Sequence, residues 1–251
     1  MRMRDRGGMT AALFAALLAG SSLLLGQQST AGDWVTAWST SQQALGETRV
    51  TNATVRIIAR TTIGGDAIRI RLDNTFGADP LRIGQAYIGQ RARGSVLVVG
   101  SNRPVSFGGA REVSIPAGGT VWSDPVPLKV LARQDLAVSL HIPGADVRPS
   151  QHTNGLVTSF RTNDGGGDVT ADEGGASFKS TMTAPWWLKA IDVQSAAAPG
   201  TIVAFGDSIT DGTCATLDAY DRWEDLLSVR LGLEQAASAR EKRAMLPSLE
   251  K

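Results

Sequence analysis

A chain of 251 residues with 42% hydrophobic and 20% charged side chains is globular in composition, long enough for one large domain or two ordinary ones. Its formal net charge of +1 gives no electrostatic footprint for nucleic acid or an anionic membrane surface. The single cysteine, Cys214, excludes an internal disulfide and is read as a small packed residue rather than a thiol nucleophile.

The N-terminus reads as an export leader. Arg2, Arg4 and Arg6 form a basic region, Ala11 to Leu25 is apolar, and Ser29-Thr30-Ala31 fits small-x-small cleavage before Gly32. The competing reading is an uncleaved anchor, but the apolar stretch is short for a membrane span. Residues 1–31 are therefore expected to be a signal peptide, and the mature protein is expected to be secreted or periplasmic with no stable membrane anchor.

Residues 32–194 read as β almost throughout. Val55 to Arg60, the turn Ile63-Gly64-Gly65-Asp66 and the alternating run Ile68 to Leu72 predict a hairpin with one face buried and an arginine-lined face in solvent. Leu81 to Ile88, Ser95 to Val99, Glu112 to Ile115, Thr120 to Trp122 and Val126 to Val130 follow as short strands separated by Gly, Pro or Asn. In Leu136 to Ile142 the even positions face inward and leave His141 on the outer face. Many short strands with regular turn signals predict a β-sandwich, jelly-roll-like.

His152 lies in the polar loop 148–155. Asn163 to Gly175, rich in Gly and Asp, is a mobile loop or a calcium site, although no repeat supports calcium. Pro185 to Val193 predicts a last strand. Its Trp186-Trp187 pair is a core or inter-domain plug, with a sugar-stacking platform as the alternative. Ser195 to Gly200 reads as a linker and a domain boundary.

Beyond it the pattern changes class. Ile202 to Phe205 is the short apolar run of a buried parallel strand, Gly206 breaks it, and Asp207-Ser208 stands at its carboxyl end. Gly212 follows, and Asp221 to Leu231 has helical periodicity, with Trp223, Leu226, Leu227 and Leu231 on one stripe and acids in the first turn. Strand, tight turn, exposed serine and helix would lift a hydroxyl clear of a sheet edge, although an Asp and a Ser that merely cap a helix give the same local pattern.

The string Phe205-Gly206-Asp207-Ser208-Ile209-Thr210-Asp211-Gly212 resembles the first signature block of the GDSL, or SGNH, family of serine esterases and lipases. The whole arrangement also resembles exported bacterial GDSL-type proteins with a β-rich domain ahead of the hydrolase domain. The resemblance implies that 201–251 begins an α/β hydrolase domain, of which the chain carries the first β–α unit. Ser208 would be the nucleophile and the backbone N–H of Ser208 an oxyanion donor. Gly206, Asp207, Asp211 and Gly212 would shape the turn. The substrate would be a carboxylic or acetyl ester, carried on a polysaccharide or lipid, and no metal or organic cofactor is implied.

A serine hydroxyl needs a positioned base, and that base an orienting partner. The family draws both from an Asp-x-x-His block and draws further oxyanion donors from later Gly and Asn blocks. No histidine follows His152 and no asparagine follows Asn163. The resemblance therefore implies a truncated, inactive fragment with a loosely held segment after Pro199. His141 and His152 are read as satisfied or solvated side chains rather than a recruited base. The alternative function is a secreted β-sandwich binding module for a carbohydrate or a cell surface, with Trp186, Trp187 and the arginine face as its contact surface.

Overall fold

The computed structural model describes residues 32–196 and 200–245. The expected signal peptide and part of the expected linker, 197–199, lie outside the described residues.

The described chain is mostly β with one helix. In order the strands are β1 (Asp33–Ser39), β2 (Ala44–Leu45), β3 (Ala53–Arg60), β4 (Gly65–Asp73), β5 (Leu81–Ile83), β6 (Gln85–Arg93), β7 (Val96–Leu97) and β8 (Arg103–Val105). There follow β9 (Val113–Ile115), β10 (Thr120–Trp122), β11 (Val126–Val130), β12 (Asp135–Ile142), β13 (Ser150–Gln151), β14 (Ser159–Arg161), β15 (Ser180–Met182) and β16 (Leu188–Ser195). The helix α1 spans Trp223–Met245.

Two antiparallel sheets carry the body. One runs β1-β16-β4-β10 with β11 also on β4, and the other runs β15-β14-β3-β12-β6-β7 with β8 also on β6. Period-2 alternation places Ile68, Ile70 and Leu72 of β4 and Ile191 and Val193 of β16 on one wall of the core. Val55 and Ile57 of β3 and Leu136, Val138 and Leu140 of β12 form the other wall, and all these residues belong to one buried cluster. Burying a side chain of this size contributes about 1.5–3 kcal/mol relative to leaving it in water, which is why the alternation decides the register.

The expected β3–β4 hairpin does not form. β3 pairs with β12 and β14, β4 pairs with β16, β10 and β11, and the Gly-Gly turn carries the chain from one sheet to the other. The reason lies in β3, which is buried on both faces and so needs a central place in the larger sheet. Its second face is covered by a small cluster of Ile58, Leu97 and Ala137, against which Val157 and Phe160 pack.

The arginine-lined face is accordingly only partly open to solvent: Arg60, Arg69 and Arg71 are half-buried, and Arg56 is closed off. Arg56 is fully buried: its Nε donates to Ser139 Oγ at 2.9 Å, its guanidinium donates to the carbonyls of Ser95 and Asp172, and it lies 4.2 Å over the Phe178 ring. Burial lowers its pKa to about 10, against the opposing pull of Asp172 and Glu173. Arg69 pairs with Asp192 at 2.7 Å and stacks on Trp34 and Trp122.

The expected loop 163–175 is held down rather than free. Gly165 and Gly167 donate to the carbonyls of Thr51 and Asn52, and Thr54 exchanges hydrogen bonds with Gly167 and Val169. The stretch Leu81 to Ile88 breaks at Gly84 into β5, which pairs with β9, and β6, which joins the larger sheet. Trp186 and Trp187 are 4% and 0% exposed, so they form the plug and not a contact surface.

Candidate functional site

The segment 200–222 holds every candidate site residue, and its local form differs from the expected strand–turn–helix. Ile202 to Phe205 forms no strand, and Ile202, Val203 and Phe205 are 68%, 77% and 99% exposed. A parallel strand needs hydrogen-bonded neighbours and cover on both faces. Among the described residues no strand is offered to this run, so the expected buried strand is absent. The stripe on α1 fails for the same reason. Trp223 and Leu226 are 48% and 55% exposed because no sheet lies beneath them.

The turn itself is compact. Asp207 Oδ1 accepts from the N–H of Ile209 at 3.0 Å, and its carbonyl accepts from the N–H of Asp211 at 2.9 Å. The N–H of Thr213 donates to the Ser208 carbonyl at 2.8 Å. Gly206 fits because a Cβ there would lie 2.2 Å from Thr210 Oγ1. Gly212 has φ +96 and is closed over by Arg222, so a side chain there would be both strained and obstructed. Ser208 is exposed at the crown of this turn, and no side-chain hydrogen bond engages its hydroxyl among the described residues.

Asp211 is drawn the other way, into the β body. His152 Nε2 lies 2.7 Å from Asp211 Oδ1, and its Nδ1 lies 2.8 Å from the carbonyl of Ser41. The Ser41 carbonyl can only accept, so Nδ1 carries a hydrogen, and Nε2 is engaged by the Asp211 carboxyl group. The ring is 7% exposed, and both of its nitrogens already have partners, neither of which is Ser208. The satisfied histidine expected from the sequence is therefore what is found, but its partner lies across the expected domain boundary. That contact was invisible in the chain order, since 59 residues separate the two side chains. His141 is no closer to the role. Burial lowers its pKa, and its Nε2 faces Asn52 Oδ1 at 3.1 Å.

Three further contacts seat the same segment. Asp218 accepts from the N–H and the hydroxyl of Thr158 at 2.7 and 2.6 Å, and Arg222 donates to the carbonyl of Gly155 at 2.8 Å. The Tyr220 ring lies 3.4 Å beneath the Arg60 guanidinium, where burial and then Asp135 push its hydroxyl pKa up. Cys214, expected to be packed, is instead exposed on this loop at φ +72.

Among the described residues, no group of three or more His, Cys, Asp or Glu side chains converges as a metal site, and no helix is long and apolar enough to cross a membrane. An open cleft of about 820 Å³ lies on the β body, lined by Tyr87, Arg111, Asp168 and Asp172 among others and by nothing from the Ser208 segment. The site thus offers an accessible hydroxyl on a rigid turn, without a base in contact with it. No family model matches this chain, and no curated protein matches it.

Proposed function

We propose that this chain carries the nucleophile block of an exported serine ester hydrolase of the GDSL type, with Ser208 as the attacking group. In this reading the β body is the jelly-roll-like sandwich that precedes the hydrolase domain. Ser208 would attack a carboxylic or acetyl ester carbonyl, and its own N–H would be one of the donors to the oxyanion. Gly206 and Gly212 keep the turn tight enough to leave that hydroxyl in front. The base and the remaining oxyanion donors have no representative at the site, so the described residues alone are catalytically inert. No metal or organic cofactor enters the reading.

The observation that carries it is the compact turn over Asp207 to Thr213, with Ser208 exposed and unengaged at its crown. The test is the nucleotide sequence beyond codon 251, read in all three frames. An encoded Gly-x-Asn-Asp-like segment followed by Asp-x-x-His supports an ester hydrolase, and absence of both from every frame overturns it.

A further inference from the structure

We infer that the β body is a seat for the nucleophile turn rather than a tethered neighbour, and that His152 is the positioning residue that fixes the turn through Asp211. The consequence for catalysis rests on Ser208 being a nucleophile, whereas the seating itself does not.

One continuous strip of the body makes the seat. His152, Gly155 and Thr158 follow one another along the chain, Arg60 lies alongside, and each meets a different residue of the 211–222 stretch. The contacts are of different kinds: an imidazole bonded to a carboxyl group, a guanidinium on a carbonyl, a doubly accepting carboxylate and a stacked cation. Flexible attachment would not call for residues at positive φ, yet Leu156 on the strip and Cys214, Asp218 and Tyr220 on the loop are at φ 54, 72, 62 and 53. Backbone in this region is unfavourable for side-chain-bearing residues and persists only where surrounding contacts determine it. Those contacts are the ones just named.

The role of His152 follows from charge as well as position. Asp207 and Asp211 bracket Ser208 in sequence, and a developing oxyanion is disfavoured beside uncompensated carboxylates. His152 bonds one of these carboxyl groups from a nearly buried position. It holds Asp211 toward the body. Nδ1 is committed to Ser41, so the ring cannot rotate to serve Ser208 without giving up both bonds. The residue acts through Asp211 and not on substrate.

The full chain tests this without any measurement of catalysis. Hydrogen exchange at the amides of Asp211, Gly212 and Thr213 reports the turn, and the imidazole N–H resonances of His152 report the contact. Asp211→Ala is expected to speed exchange at those amides about 10- to 100-fold, in line with loss of a charge-assisted hydrogen bond. It should also shift the imidazole resonances of His152 while the Nδ1–H held by Ser41 stays visible. His152→Phe should reproduce the loss of protection in the turn, with the strands β12 and β16 unchanged. If that variant unfolds the body, Asp211→Ala decides alone, since its side chain lies outside the body. Ser208→Ala should leave protection at wild-type levels, so a failed esterase reading would not disturb the result. Unchanged amide exchange in Asp211→Ala, or His152 imidazole resonances that it leaves unmoved, overturns the proposal.

Discussion

Ile202, Val203 and Phe205 are as apolar as Ile68, Ile70 and Leu72, yet the first three are 68%, 77% and 99% exposed and the second three at most 1%. The difference is that β4 has β16, β10 and β11 alongside it and a second sheet across the core, whereas the later run has neither. Apolar composition supplies a driving force for burial, but hydrogen-bonded neighbours decide whether a strand can use it. The body is therefore held by its interior, and the 200–222 segment by a few polar contacts at its rim.

That contrast is broken most strongly from inside the body. Asp73 is fully buried, receives Lys189 Nζ at 2.6 Å, and accepts from Thr75 and Ser150 as well. Asp73→Ala strands Lys189 and two hydroxyls, and is expected to lower the unfolding free energy by about 3–5 kcal/mol. Urea titration followed by tryptophan fluorescence checks it. Burial pushes the Asp73 carboxyl up, but Lys189, Thr75 and Ser150 together outweigh it and hold the group below its ordinary value. A depressed carboxyl contributes stability above its unfolded pKa, and this is lost as pH falls through the folded one. Acid should therefore destabilise the wild type in this range and leave Asp73→Ala less affected.

A smaller effect is expected at Arg56. Arg56→Lys keeps the charge but loses the fork that reaches Ser139, Ser95 and Asp172 together. The expected loss is about 1–3 kcal/mol, with the 163–175 segment becoming the first protease-sensitive site of the body. Equal stability of the lysine variant would show that the segment is held by something else.

The smallest effect is expected at the site. With both nitrogens of His152 committed and no other base at the turn, the chain should hydrolyse a short-chain p-nitrophenyl ester no faster than its Ser208→Ala variant. In serine hydrolases loss of the base costs on the order of 10⁶ in turnover. A clear rate difference between the two proteins would mean that the segment leaves its seat and finds a base.

Much of the body was legible in the sequence because period-2 alternation is a local signal. β10 and β11 lie where Thr120–Trp122 and Val126–Val130 predict them, and β12 begins one residue earlier than expected. Alternation fixes which face a residue takes but not which strand lies beside it. The Gly64-Gly65 turn therefore reads as a hairpin when it joins two sheets. Arg56 was misread for a related reason, since the cover over its face comes from residues about 40 and 116 positions away. At the site the tight glycine turn was legible from residue type. The His152–Asp211 pair was not, because nothing local singles out one acid among the chain's 24.

The unpaired run Ile202-Val203-Ala204-Phe205 has a colloidal consequence. It is an apolar ribbon four residues long with free backbone donors and acceptors, and it holds no charge, no proline and no glycine. Such an edge is a template for strand addition, and proteins ordinarily blunt it with lysine, proline or a bulge. Here the nearest charges along the chain are Asp207 on one side and Asp192, well inside β16, on the other. Two molecules meeting ribbon to ribbon would satisfy each other's backbone, an association that the chain's near-zero net charge does little to oppose.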